Sequence, residues 1–244
     1  MKLSPEERAN IRESFRQMSF AQKLDYIFSY YRLPITLGLI ALIVLCSTAY
    51  RQLTKKEALL YLAYINVSVG DDLDTALNTG FVEHVGVPPK KNEISLYRGL
   101  YLAQDPSTDN HQYAYASRLK LMAAVESKTL DIVLMNQEAY DILSQSEYLY
   151  AIPDILPPDD PLYQLLAPFL TANTVILEDN SIEYNLNEAD VYEAVTEEAV
   201  NGIDVSTFPL FRDAGFSEHV YLGIIGNSPR LPRVFQYIEY LAKE

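Results

Sequence analysis

The chain has 244 residues, with 19 Lys and Arg against 33 Asp and Glu, one Cys, no Trp and 19 Tyr. At 49% hydrophobic and 21% charged it can bury a core, which excludes a disordered tail, and a single Cys excludes an internal disulfide or a multi-Cys metal centre. The formal net charge of -14 argues against nucleic acid as a partner, because its phosphates would be repelled.

Residues 1–32 carry two helix-start signals. Ser4-Pro5-Glu6-Glu7 combines an N-cap serine, a first-turn proline and a capping-box glutamate, and Ser19-Phe20-Ala21-Gln22 repeats the S-x-x-Q form. After it, Phe20, Leu24, Ile27, Phe28 and Tyr31 recur at helical spacing. Lys23 and Arg32 suit anionic lipid beside that stripe, unless the helix simply continues into the next segment.

From Leu33 to Tyr50 the sequence reads LPITLGLIALIVLCSTAY, without a charge. Eighteen helical residues span about 27 Å, close to the roughly 30 Å of a bilayer's hydrocarbon core. Arg32 and Arg51 bracket the run, and Tyr30, Tyr31 and Tyr50 suit the headgroup level. A buried helix of a soluble protein is the plainer alternative. A cleaved signal normally has a short basic start, and a lipid-modified Cys46 would need a small residue where Leu45 stands. An uncleaved single-pass anchor is therefore expected. Six basic and four acidic side chains precede residue 33, against 13 and 29 after it. Arg51, Lys55 and Lys56 blunt the contrast, yet the balance favours a cytoplasmic N-terminus and an outer C-terminal domain at the cell membrane.

The remainder alternates strands and helices. Ala58–Val69 reads as a buried strand, Asp71–Thr79 as a short helix before Gly80, and Glu93–Leu102 as a second strand. His111–Lys128 is expected to be an amphipathic helix with Tyr115, Leu119, Met122 and Ala123 on its packed face. Leu130–Met135 is then a strand and Asn136–Ser144 a helix. Asp160-Pro161 starts a helix through Leu170, and Thr174–Leu177 and Ser181–Tyr184 suggest a hairpin turning at Asp179-Asn180. Val191–Val200 reads as a helix, His219–Ile225 as a strand, and Val234, Ile238 and Leu241 mark a closing helix. This order favours an α/β domain with a mainly parallel sheet and flanking helices. The expected organisation is a cytoplasmic juxtamembrane helical segment over 1–32, a transmembrane helix over 33–50, a linker over 51–56 and an extracytoplasmic α/β domain over 57–244.

The amphipathic helix, the strand-to-helix run DIVLMNQEAYDIL and the proline-rich loop after it resemble bacterial type II extracytoplasmic solute-binding proteins. So does the ending VYLGIIGNSPRLPRVFQYIEYL. The opening SFAQKLDYIFSYYRLPI before an apolar span resembles a group of small single-pass membrane proteins of Gram-positive bacteria. The resemblance implies a periplasmic-binding-protein-like domain with one or both lobes reduced. It also implies a binding role beside a membrane transporter or another envelope protein.

Chemistry-bearing motifs are sparse. His84, His111 and His219 have no metal-ligand spacing, GxSxG, GxxxxGK[ST] and GxGxxG do not occur, and Cys46 lies in the apolar run. Asp72, Asp74 and Glu83 imitate a calcium loop, but Leu77 stands where glycine is required. Asn66-Val67-Ser68 forms a glycosylation sequon inside an expected strand. Tyr97, Tyr101, Tyr113, Tyr115, Tyr148 and Tyr150 either pack or line a groove for a sugar or peptide. A cleft in an open α/β sheet lies at the strands' carboxyl ends. That rule nominates Asn66, Asn136, Gln137, Asn227 and Ser228, with Tyr113, as ligand contacts. No metal and no cofactor is expected. The leading expectation is a membrane-anchored binding or scaffolding protein, not an enzyme, which captures a small solute or docks a partner. The alternative is an envelope hydrolase using paired carboxylates such as Glu197-Glu198 or Asp159-Asp160.

Overall fold

A computed structural model describes residues 18–20, 22, 32–104, 110–180 and 191–243. They divide into two units, Met1–Lys55 and Lys56–Glu244. In the first, the S-x-x-Q capping box forms: Ser19 N–H donates to Gln22 Oε1 at 3.0 Å, and Gln22 N–H to Ser19 Oγ at 3.4 Å. The earlier start signal at Ser4 lies outside the described residues. Helix α1 (Arg32–Thr54) contains the whole uncharged run and is 23 residues long, about 34 Å. None of the window Leu33–Tyr50 is buried among the described residues, and the helix is long and apolar enough to cross a membrane. The Thr48 hydroxyl donates to the Val44 carbonyl at 2.8 Å, which satisfies that polar group within the helix.

In the second unit, β1 (Glu57–Ile65) leads through α2 (Asp71–Thr75), a π-helical turn (Ala76–Gly80) and α3 (Phe81–His84) to β2 (Asn92–Leu100). Helix α4 (His111–Glu126) carries the chain to β3 (Ile132–Met135), and α5 (Gln137–Gln145) follows at once. Short helices α6 (Ile152–Ile155) and α7 (Pro161–Leu166) precede the strands β4 (Leu170–Asp179) and β5 (Ala194–Asp204). Then come α8 (Pro209–Arg212), β6 (Tyr221–Ile224) and α9 (Leu231–Lys243). The strands form one sheet in the order β2-β1-β3-β6-β5-β4.

The architecture is α/β with flanking helices, but the sheet is mixed. Strand β1 is parallel to β2 and β3, whereas β6 runs antiparallel to both β3 and β5, and β4 antiparallel to β5. Each βα crossover in the first half demands parallel pairing, while the β4–β5 arm and the inserted β6 do not. Side chains alternate strictly between two cores. Leu60, Leu62, Tyr64, Ile132, Leu134, Leu222 and Ile224 meet α9, α8 and the helical stretch after β1. Ala63, Ile65, Val133 and Met135 meet α4 and α5 on the other face. Burial on both faces explains the continuous apolar runs of β1 and β3.

Several expected boundaries move. Strand β1 stops at Ile65 because Asn66 turns left-handed (φ 57°). Gly80 does not end a helix: a Cβ there would lie 2.6 Å from the Tyr240 hydroxyl, so glycine lets α9 approach the π turn. The helix begun by Asp160 stops at Leu166, and Leu170 already belongs to β4. Residues 194–200 are strand, not helix, and they take the place expected for 181–184 by pairing with β4 from Val175↔Glu197 to Asp179↔Ala194. Asn180 does not turn the chain either, since its amide bonds the Val191 carbonyl and Glu193 N–H, while 181–184 lie outside the described residues. Finally, α4 buries Ser117, Leu121, Ala124 and Val125, leaving Tyr115, Leu119, Met122 and Ala123 exposed.

Candidate functional site

The parallel strands β1 and β3 end side by side, with Asn66 and Asn136 at their carboxyl ends. Both amides are engaged in holding the fold. Asn66 Nδ2 donates to the Leu102 carbonyl at 2.7 Å and its Oδ1 accepts from Leu102 N–H at 2.9 Å, so it joins the segments leaving β1 and β2. Asn136 caps α5, accepting from Ala139 N–H at 3.1 Å, and Gln137 Nε2 reaches Asp141 one turn on at 2.7 Å. Asn136→Ala is expected to cost about 1 kcal/mol of unfolding free energy, read as a lower urea midpoint at unchanged slope. Tyr113 donates its hydroxyl to the Gly99 carbonyl and stacks on Tyr101 at 6.3 Å.

Because β6 is antiparallel, its carboxyl end lies at the opposite edge of the sheet, so Asn227 and Ser228 stand apart from Asn66, Asn136 and Gln137. They belong to a cluster that the sequence reading missed. Asp131 is fully buried; its Oδ2 accepts from Tyr61 N–H and Arg230 Nε–H, both at 2.8 Å, and its Oδ1 from the Ser228 hydroxyl at 2.6 Å. The Arg230 guanidinium sits 4.5 Å over the Tyr61 ring and donates to the Lys128 carbonyl at 2.6 Å. Asn227 Nδ2 donates to the Val125 carbonyl at 2.8 Å, while its buried Oδ1 has no hydrogen-bond partner among the described residues. Partners about a hundred residues apart leave no motif, so only the fold reveals this fastening.

At the far side of the carboxyl ends, Asp204 closes β5 and meets His219 Nδ1 at 2.7 Å. The His219 ring stacks on Tyr221, and Tyr221 on Tyr140 at 4.9 Å. Burial works against ionisation of Asp204, but hydrogen bonds from Ser206 and His219 outweigh it and hold the carboxyl below its ordinary value. A folded value below the unfolded one means that this stabilisation is complete above the ordinary carboxylate range. It is lost as pH falls through the folded value. Asp204→Asn is therefore expected to lower stability at neutral pH and to change little near pH 2.5, which flattens the acid limb of a stability profile taken from about pH 7 to about pH 2.5.

Besides an open hollow of ≈ 390 Å³ between the end of α5 and Ile176–Asp179 of β4, two open cavities lie beside β2 and α4. One of ≈ 550 Å³ runs between β2 and the helical stretch 71–84, lined by Asn78, Thr79, Asn92 and Ser95, with the Arg98–Asp74 ion pair at its side. Beneath it the Tyr64 hydroxyl donates to Asp74 at 3.1 Å, and burial together with that carboxylate raises its pKa. The other, ≈ 230 Å³, lies between Leu102–Gln104 and the first turns of α4, bordered by His111, Tyr115 and Arg118.

The candidate carboxylate pairs do not converge. Glu197 and Glu198 are neighbours on β5 and point to opposite faces, with Glu198 accepting from the Thr174 hydroxyl at 2.9 Å. Asp160 caps α7 through Leu162 N–H at 2.8 Å. Among the described residues no group of three His, Cys, Asp or Glu could hold a metal ion, and Asp74 of the imitated calcium loop is tied to Arg98. The tyrosines split between the two cores: Tyr97 and Tyr148 pack on one, Tyr150 on the other. No family model, no curated protein and no solved structure matches this chain.

Proposed function

We propose that the protein is a single-pass membrane component that holds its 57–244 domain outside the cell and works by docking a partner protein rather than by catalysis. The observation that carries this reading is where exposure falls. The six nominated ligand residues spend side-chain groups on bonds within the chain, whereas Tyr115, Leu119 and Met122 lie open along one face of α4. Fully burying such side chains against a partner stabilises by up to roughly 1.5–3 kcal/mol each, and the described residues of the domain leave them about half exposed. The apolar helix α1 and the acidic balance of the chain after it support the anchor and its direction. Solute capture for a transporter is the second reading, favoured by the groove beside β2.

One pair of measurements tests both. With Cys46→Ser as background, Asp213→Cys, at an exposed position away from that face of α4, is expected to react with a membrane-impermeant maleimide on intact cells; protection until lysis would reverse the orientation. Thermal melts of the full chain in detergent against sugars, amino acids and peptides are expected to show no shift. A ligand at 100 times its dissociation constant would add about 2.7 kcal/mol, and a shift of that size would replace docking by capture.

A further inference from the structure

The two exposed apolar patches of the domain are opposite in charge. On α4, Tyr115, Leu119 and Met122 are 60%, 49% and 42% exposed. Arg118 stands among them at helical spacing, with no carboxylate partner among the described residues. The adjoining hollow of ≈ 230 Å³ makes this end of α4 concave. The second patch lies on the β4–β5 arm. Leu177 and Val195 are exposed there, Glu178 pairs across from Val195, and Glu197 follows Val195 on the same face of β5. Glu178 and Glu197 likewise make no ion pair among the described residues, and the described arm strands contain no Lys or Arg.

The patches cannot meet within one domain. Helix α4 packs on β2 and β1, at one end of the sheet, and the arm forms the other end. Five inter-strand steps separate β2 from β4, about 24 Å. We infer that the arm of one copy docks on the α4 face of the next, so that the protein self-assembles head to tail, Val195 and Leu177 against Tyr115, Leu119 and Met122, with Glu178 and Glu197 facing Arg118. Two different patches at opposite edges make the contact heterologous, so it propagates as a row or closes as a ring instead of stopping at a two-fold dimer. Anchoring by α1 would raise the effective concentration of copies. The inference rests on the docking reading and names its partner as a second copy of this chain.

The experiment uses the full chain, with Cys46→Ser, in detergent or lipid nanodiscs. Sedimentation at micromolar concentration should show concentration-dependent oligomers beyond the dimer. Arg118→Glu and Glu197→Arg should each weaken association at least tenfold, and the double variant, which exchanges the charges, should regain most of it. Both sites are exposed, so unchanged melting curves will separate lost assembly from lost folding. Under a mild oxidant, a Leu119→Cys chain mixed with a Val195→Cys chain should give a disulfide-linked pair, and neither should do so alone. A monomeric wild-type chain, or single variants that associate as well as wild type, would overturn self-assembly. If the monomer still photo-crosslinks from position 119 to a different protein in cells, docking stands and the second copy is the wrong partner. No crosslink, together with a solute-induced thermal shift, overturns both.

Discussion

Asp131→Ala is expected to cost about 3–5 kcal/mol, the usual result of removing one partner from a buried charge pair. Three donors converge on this carboxylate, which is fully buried at the head of β3. Alanine leaves the Tyr61 N–H and the Ser228 hydroxyl without their acceptor and the Arg230 guanidinium without its counter-charge. In a domain of this size the loss lowers the melting temperature by roughly 6–20 °C. Asp131→Asn, which keeps an acceptor but not the charge, should fall between wild type and alanine. Asp131→Leu with Arg230→Met should recover part of the loss, because a buried pair carries its own desolvation cost. Urea unfolding of the full chain in detergent measures all three. A loss below about 1 kcal/mol for Asp131→Ala would mean that the pair behaves as a solvated surface bridge.

How far the sequence reveals the fold depends on whether burial or pairing makes each element. Where burial does, the pattern is legible. The apolar run of α1, the two-faced strands β1 and β3, the spacing Val234, Ile238, Leu241 in α9 and the caps at Asn136 and Asp160 all stand where chemistry puts them. Strand β5 shows the contrary case. Residues 191–198 are exposed on both faces, so no period-two burial marks them, and the helical spacing of Val191, Ala194 and Val195 is a coincidence that pairing with β4 overrides. Strand direction is hidden for a similar reason: Tyr221–Ile224 alternates equally well parallel or antiparallel, and only its neighbours decide. Apolar and polar residues are spread nearly evenly round helix α4. Periodicity alone cannot choose between the face of Leu119 and Met122 and that of Leu121 and Val125; the choice falls to Ser117, whose hydroxyl accepts from Tyr101 N–H at 3.1 Å.

The nominated ligand residues follow the same logic. A polar residue at a strand end serves a ligand or the chain itself, and amide chemistry does not distinguish the two. Asn66 and Asn136 serve the chain through bonds to backbone, long-range to Leu102 for Asn66 and a local cap, which capping rules anticipate, for Asn136. The grouping of Asn227 and Ser228 with them fails on strand direction alone. Asp131 and Arg230 were invisible because nothing in either short sequence announces the other.

Gly202→Ala should be the second severe substitution. Gly202 lies on β5 where the arm leaves the sheet, and a Cβ there would fall on the Tyr140 hydroxyl and ring and lie 2.7 Å from Thr171 Oγ1. Tyr140 cannot yield cheaply. Its hydroxyl lies 2.8 Å from Asn201 Oδ1 and 3.1 Å from the Thr171 carbonyl, and Asn201 Nδ2 continues to Ser144 Oγ at 2.7 Å. The Ser144 hydroxyl in turn donates to the Thr174 carbonyl at 2.9 Å, so one polar chain binds α5 to both strands of the arm. Burial pushes the Tyr140 hydroxyl up to about 12, which keeps it a neutral donor at ordinary pH. Overpacking costs about 1–3 kcal/mol, and each polar group stranded when Tyr140 moves costs about 1–3 more, so a total near 4 kcal/mol is expected. Tyr140→Phe alone should cost about 1–3 kcal/mol, since it strands the Asn201 acceptor. The two should not add: the hydroxyl contacts that Gly202→Ala would strand are already gone in Tyr140→Phe, while the ring carbon is still struck, so the double variant loses less than the sum by 0.5 kcal/mol or more, about the size of coupling between touching residues. Hydrogen exchange should show the amides of β4 and β5 losing protection before those of β1 and β3, because the polar chain fastens the arm and not the central sheet. Simple additivity, or uniform loss of protection across all six strands, would mean that arm and sheet open as one cooperative unit.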